Sequence, residues 1–328
     1  MYINLKDCSE SLTLHGLNAV QSRIDPEHPM LPVFDSKRAS VEAGIGGEKR
    51  VVEIFDKYTF PFKNNIIHGL SLASDTLFQI DHYFFTPYYG LVLETKNIGG
   101  SLEFKDNPPQ LVATKEHGQI SSFESPVVQL ERNLELLTAW LHNRNIHLPL
   151  YGAVVLAYPK QIVSVPPVNT TLLFPNTIPP FINSLPLKDR KLDADAFQWL
   201  SAELVRSHRP YIPKPICESY QIPSTDILPG VRCANCGKIG MIKLPRTWHC
   251  RFCEVNDNKA HIRALWEWSL ICKKTITNRE CREFLQIEDK YTAHRILSSM
   301  NLRRTGTFRN RSYYLDLNKS FYFSPSKR

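Results

Sequence analysis

Two short cysteine pairs constrain this chain more than any other feature. Cys233-Ala-Asn-Cys236 and Cys250-Arg-Phe-Cys253 stand 13 residues apart. A CxxC turn presents two thiolates from one tight bend, and two such turns supply the four sulfurs of a tetrahedral zinc site. Four thiolates leave no open position, so the expected role of one Zn2+ ion is to fold a small segment rather than to bind substrate. His249 precedes Cys250, but the CxxC geometry favours the cysteine. Eight cysteines in 328 residues are too few for a disulfide framework. The apolar run around Tyr151–Tyr158 is far shorter than the roughly 20 residues that span a bilayer. The leading residues MYINLKDCSE lack a basic stretch followed by an apolar one. The expectation is a soluble, cytoplasmic protein that does not engage a membrane.

Charge is concentrated at one end. The chain carries a formal +8, yet residues 259–328 hold 15 Lys/Arg against 6 Asp/Glu. That segment is therefore +9 and the remaining 258 residues sum to −1. Such asymmetry suits a polyanionic partner, although a solvated basic tail has the same count. Prolines are uneven too: 12 of the 23 lie between Pro159 and Pro229, which discourages long regular elements there.

From Gly47 onward the pattern becomes regular. Glu48, then Val51, Val52, Ile54, Phe55 and Tyr58, have helical spacing. Two strand-like runs, Leu77–Phe85 and 91–97, flank Thr86-Pro-Tyr-Tyr-Gly90 and predict a β-hairpin. Pro126 opens a helix to about Asn143, Tyr151–Tyr158 reads as a buried strand, and a further helix is expected over Ala194–Ser207. The order α-β-β-α-β implies a mixed α/β (α+β) domain.

Glu94 and Lys96 share a face of the second strand because side chains alternate. If the hairpin centres between Pro87 and Tyr88, Asp81 opposes Glu94 and joins them. A divalent cation could relieve two adjoining carboxylates, with Lys96 orienting a nucleophile. The same spacing also fits a surface ion pair between Glu94 and Lys96.

Gly47-Glu48, Gln79-Ile-Asp81-His82, Gly90-Leu-Val-Leu-Glu94-Thr-Lys96-Asn97 and Pro126-Val-Val-Gln129 together resemble the nuclease-related (NERD) domain, over about residues 40–160. That family is similar to the PD-(D/E)xK endonuclease superfamily, which includes Mrr-like restriction enzymes and Holliday-junction resolvases. The resemblance implies a PD-(D/E)xK-like mixed sheet flanked by helices. It also implies Asp81 and Glu94 as ligands of Mg2+ or Mn2+, Lys96 as the catalytic lysine, Glu48 as an acidic residue on the first helix and Gln129 as a polar residue on the following one. A lead-in of about 40 residues and a long loop from Gly99 to Ser125 depart from the family pattern and are expected to be peripheral to the chemistry.

In the basic segment, Thr277-Asn-Arg-Glu280 is a capping box that opens a helix bearing Cys281, Phe284 and Leu285. A second helix buries Ala293, Ile296, Leu297 and Met300, leaving Lys290, Thr292, His294 and Arg295 outward as donors for phosphates and base edges. Arg303, Arg304, Arg309 and Arg311 flank a turn at Gly306. Helix-turn-helix with a basic hairpin resembles a winged helix.

The expected organisation is a lead-in over 1–40, a nuclease-related domain over 41–206, a linker over 207–230, a zinc-ribbon-like segment over 231–256 and a winged-helix-like module over 257–328. The expected activity is metal-dependent hydrolysis of phosphodiester bonds in nucleic acid, with DNA the expected substrate. The alternative is a non-catalytic nucleic-acid-binding or regulatory protein on an inherited nuclease fold.

Overall fold

The computed structural model describes residues 2–4, 11–307 and 310–315. It divides into two compact units, Met1–Ser11 with Ser40–Tyr211, and Leu12–Ala39 with Ile212–Arg328. The first elements in chain order are β1 (Tyr2–Asn4), α1 (Leu12–Gln21), α2 (Leu31–Lys57), β2 (Asn65–Ala73), β3 (Leu77–Phe85) and β4 (Gly90–Lys96). Next come β5 (Ser101–Asp106), β6 (Pro109–Thr114), β7 (Ile120–Glu124), α3 (Pro126–His142), β8 (Leu150–Leu156), β9 (Ile162–Val165) and β10 (Thr171–Leu173). The first unit closes with α4 (Ile178–Ser184) and α5 (Ala194–Ser207).

The central sheet has the order β1-β2-β3-β4-β8-β10. Pairing is antiparallel from β2 to β4 and parallel between β4 and β8. Parallel neighbours need a crossover, which α3 helps to supply. Each face of the sheet is covered. On one, Ile67, Phe85, Val92 and Val154 pack with Leu137 and Trp140 of α3 and Leu200 and Leu204 of α5. On the other, Phe84, Leu91 and Val155 meet Val51 and Phe55 of α2 and Ile178 and Ile182 of α4. Pro126 sits in the first turn of α3, and the Asp193 carboxylate accepts the Ala196 N–H at 2.8 Å to open α5.

The hairpin register is the one the sequence implies. His82 opposes Leu93, Tyr83 Val92, Phe84 Leu91 and Phe85 Gly90. Thr86 closes the turn, its hydroxyl accepting from the Tyr88 and Tyr89 N–H groups at 3.0 and 3.1 Å. Gly90 is required by packing: a Cβ there would lie 2.6 Å from the Tyr83 hydroxyl.

One irregularity matters for the site. The β2–β3 ladder pairs His68 with His82 and Leu70 with Ile80 but is interrupted between, at Gly69 and Asp81. Gly69 has φ +66°, which glycine adopts without penalty. Across this break both strands change parity, so that Ile67, Leu70, Ile80 and Tyr83 all enter the same core. Asp81 sits on the break.

The stretch expected as a long loop after Gly99 is instead a second sheet, of order β7-β6-β5-β9. Leu102, Phe104, Leu111 and Ala113 bury its inner face against Leu156 and the half-buried Val127 at the start of α3. The sheet touches a candidate site residue: Glu124, the last residue of β7, accepts from Gln129.

The second unit gathers α1 and the start of α2 with α6 (Ile216–Tyr220), β11 (Val231–Arg232), β12 (Ile239–Lys243), β13 (Trp248–His249) and β14 (Asn256–Asp257). There follow α7 (Ala260–Ile271), β15 (Thr275–Thr277), α8 (Asn278–Leu285), α9 (Lys290–Ser299), β16 (Arg303–Thr305) and β17 (Ser312–Tyr314). Residues 12–39 are therefore built into this unit rather than forming a loose lead-in. The expected linker likewise contains α6 and buries Ile216, Ile222 and Ile227.

A buried ion network ties these segments together. Arg23 donates to Glu267 through Nε at 2.8 Å and also to the carbonyls of Leu228 and Gly230 at 2.9 and 3.0 Å. Arg232 donates to the other Glu267 oxygen. Glu267 is only 1% exposed. Removing one member of such a network strands buried charge, at about 3–5 kcal/mol. Glu267→Ala should lower the urea midpoint of the second unit accordingly, and an unchanged midpoint would contradict the network's role.

Candidate functional site

The carboxylates and lysine of the hairpin converge on one cleft. It has a volume of about 550 Å³, and its walls include Asp81, Glu94, Lys96, Gln129, Arg132 and Asn133. β4 delivers Glu94 and Lys96 on the α3 side of the sheet, the side that Val92 also faces. Asp81 arrives from the break in β3 and accepts the Thr95 N–H at 2.9 Å, so its carboxylate is anchored to the neighbouring strand.

Lys96 Nζ donates to Glu94 Oε1 at 2.7 Å and to Gln129 Oε1 at 2.5 Å. The Glu94–Lys96 ion pair therefore exists, but not at the surface, since Glu94 is 7% exposed. Burial, then the charge of Asp81, push Glu94 up to about 7, with Lys96 opposing and Glu48 adding to the rise. A buried carboxylate crowded by other carboxylates is the donor set that a hard divalent cation satisfies.

Glu48 is held near this group by the packing of α2. A Cβ on Gly47 would lie 2.9 Å from Cβ of Asn97 and 3.3 Å from that of Ala157, so only glycine lets the helix approach this closely. The Asn97 side chain donates to the Ala43 carbonyl at 2.8 Å and pins the same approach. Glu48 acts on Glu94 by its charge but is not part of the cleft wall. His82 points away, its Nδ1 lying 2.6 Å from that of His68.

Sequence patterning does not single out Glu124 or Arg132. Glu124 Oε2 accepts from Gln129 Nε2 at 2.6 Å, and its other oxygen accepts from Arg132 at 3.3 Å. The one signal in the sequence is a carboxylate five residues before Gln129, ahead of the expected helix start.

The four cysteines converge in the second unit. Cys233 and Cys253 sulfurs are 3.6 Å apart, as are those of Cys236 and Cys250, and all four lie within 4.8 Å of one another. Zinc–sulfur bonds of about 2.3 Å at tetrahedral angles require sulfur separations of about 3.8 Å, so this arrangement could hold zinc. Each knuckle is closed by backbone hydrogen bonds, Gly237 N–H to Cys233 O and Glu254 N–H to Cys250 O, at 3.0 and 2.8 Å. His249 is engaged elsewhere, with Asn256 at 3.1 Å.

In the terminal segment, Thr277 and Glu280 form the expected capping box. β16 and β17 pair as a hairpin, with β15 on the outer side of β17. Lys290, His294, Arg295, Arg303 and Arg304 are exposed, whereas Arg311 is half-buried. Thr292 is committed to helix capping, its hydroxyl donating to Asp289 at 2.7 Å and accepting from Arg295 at 3.0 Å. Arg303 and Arg304 lie over the rings of Tyr314 and Tyr313. Arg309 falls outside the described residues. Lys243 of β12 is a further basic residue here, one that the sequence pattern does not mark. Burial, with help from the Arg295 guanidinium, holds its ammonium below the usual range, so ribbon and helix bring positive charge together.

In the first unit a mixed sheet between helical layers carries an acidic pair and a lysine on paired strands, an α/β arrangement with one acidic cleft. Residues 43–157 match the family model of the nuclease-related domain, about a third of the chain, and the match contains Glu48, Asp81, Glu94, Lys96 and Gln129. No curated protein and no solved structure matches the chain. Among the described residues, no helix is long and apolar enough to cross a membrane.

Proposed function

We propose that the first unit is a metal-dependent phosphodiesterase acting on nucleic acid, with DNA the expected substrate. The observation that carries this reading is the convergence of Asp81, buried Glu94 and Lys96 on one cleft. Asp81 and Glu94 would hold Mg2+ or Mn2+, and Glu48 would add negative charge from the edge. When bound, the ion would supply charge stabilisation at a phosphate. Lys96, fixed between Glu94 and Gln129, offers its remaining N–H to a nucleophile or to developing charge. Incubation with supercoiled, linear and single-stranded DNA, with and without magnesium or manganese, tests the reading. Cleavage should require the cation. Tight binding without cleavage of DNA or RNA would favour the non-catalytic alternative.

In this reading the second unit supplies targeting. A structural Zn2+ on Cys233, Cys236, Cys250 and Cys253 would stiffen the ribbon. The terminal segment would act as a winged helix, with Lys290, His294 and Arg295 on α9 and Arg303, Arg304, Arg309 and Arg311 in its hairpin. Removing 259–328 outright would also remove Glu267 and the buried face of α7, so point variants are the cleaner test. Each cation that no longer neutralises a phosphate should flatten the slope of log affinity against log salt by about 0.9. Replacing Arg295, Arg303 and Arg304 by Ala should weaken DNA binding and reduce that slope by about 2.7. Unchanged slopes would move the footprint elsewhere.

A further inference from the structure

We propose that Glu124 is a positioning residue that acts on Lys96 through Gln129; this rests on the phosphodiesterase reading of the cleft. A glutamine amide has one donor end and one acceptor end, which are nearly isosteric, so its neighbours decide which way it faces. A carboxylate can only accept. Glu124 Oε2, 2.6 Å from Gln129 Nε2, therefore fixes the donor end toward β7. That leaves Oε1 for the Lys96 ammonium at 2.5 Å. With the amide reversed, an NH2 group would face an ammonium and the lysine would lose its second acceptor. Arg132 occupies the other oxygen of Glu124 at 3.3 Å and steadies the carboxylate. The chain Glu124–Gln129–Lys96–Glu94 thus runs from the accessory sheet into the cleft, and gives that sheet a role in placing the lysine.

The polarity of this chain supplies its own test on the full-length protein. Glu124→Ala should lower kcat by about 10–100-fold with KM nearly unchanged, the usual cost of losing an outer support. Glu124→Gln keeps an acceptor and should stay close to wild type. Glu124→Lys presents donors, reverses the amide and should be at least as damaging as Glu124→Ala. Adding Gln129→Glu to Glu124→Lys restores an acceptor facing both lysines and should recover activity. In parallel, the Gln129 side-chain amide, assigned in NMR spectra with Gln129→Ala, should lose its hydrogen-bonded shift in Glu124→Ala. An unchanged kcat in Glu124→Ala, or no recovery in the double variant, overturns the proposal. If wild type cleaves nothing, the phosphodiesterase reading falls by itself. The amide signals then decide whether Glu124 orients Gln129, and identical signals in wild type and Glu124→Ala overturn that as well.

Discussion

Asp81→Asn will abolish cation-dependent cleavage, by about 100-fold or more, while leaving the fold in place. The asparagine oxygen can still accept the Thr95 N–H, so the strand anchor survives and only the charge is lost. Lys96→Ala should reduce the rate comparably but leave cation binding measurable by calorimetry, because in the proposed reading the lysine would act on the reacting groups rather than the ion. Glu94→Gln should separate stability from activity. Its carboxyl is raised from about 4.5 to about 7 by burial and by Asp81. Ionising it therefore costs stability progressively as pH rises through that window. Without added cation, Glu94→Gln should melt above wild type beyond pH 7, and the difference should vanish below about pH 4.5. Equal melting at pH 8 would argue that Glu94 is not under charge strain.

The second large effect concerns the cysteines. Purified protein should carry about one zinc per chain, and Cys236→Ser or a strong chelator should unfold the ribbon. Binding to such sites is worth about 10–16 kcal/mol, more than a segment this small can replace from its own core. Trp248 provides the readout: it is fully buried, with its indole N–H donating to His261 at 3.1 Å, so ribbon loss should change its fluorescence. The first unit has its own core and should keep its melting transition. Absence of metal from protein prepared without chelator would sink the zinc assignment.

Much of this architecture can be read from residue patterns, and the failures have physical causes. The hairpin is legible because Pro87 and Gly90 bracket a turn between two apolar runs, and α5 because Phe197, Leu200 and Leu204 recur at helical spacing. β2 escapes, since Gly69 breaks its alternation at the point where both strands change parity. The accessory sheet escapes for a different reason. Its strands are short and half-exposed, and although β5, β6 and β7 pair with chain neighbours, the fourth, β9, joins β5 from some 60 residues away. Asp81, Glu94 and Lys96 can be placed together from hairpin arithmetic alone. Glu124 cannot, because its link to Gln129 depends on where a separate sheet ends.

The second unit is assembled from residues 12–39 and 212–328, with most of the first unit lying between them in the chain. Leu12 and Gly16 pack against Trp266, Leu270 and Ile216, and Arg23 finds its carboxylate at Glu267. During synthesis, α1 therefore emerges early but has no partner until the last third of the chain is made. Its apolar face must wait exposed through roughly 200 residues of translation, about 10–40 s at ordinary elongation rates. A nascent or prematurely terminated chain would present that face to chaperones and proteases while the core of the first unit could already be complete.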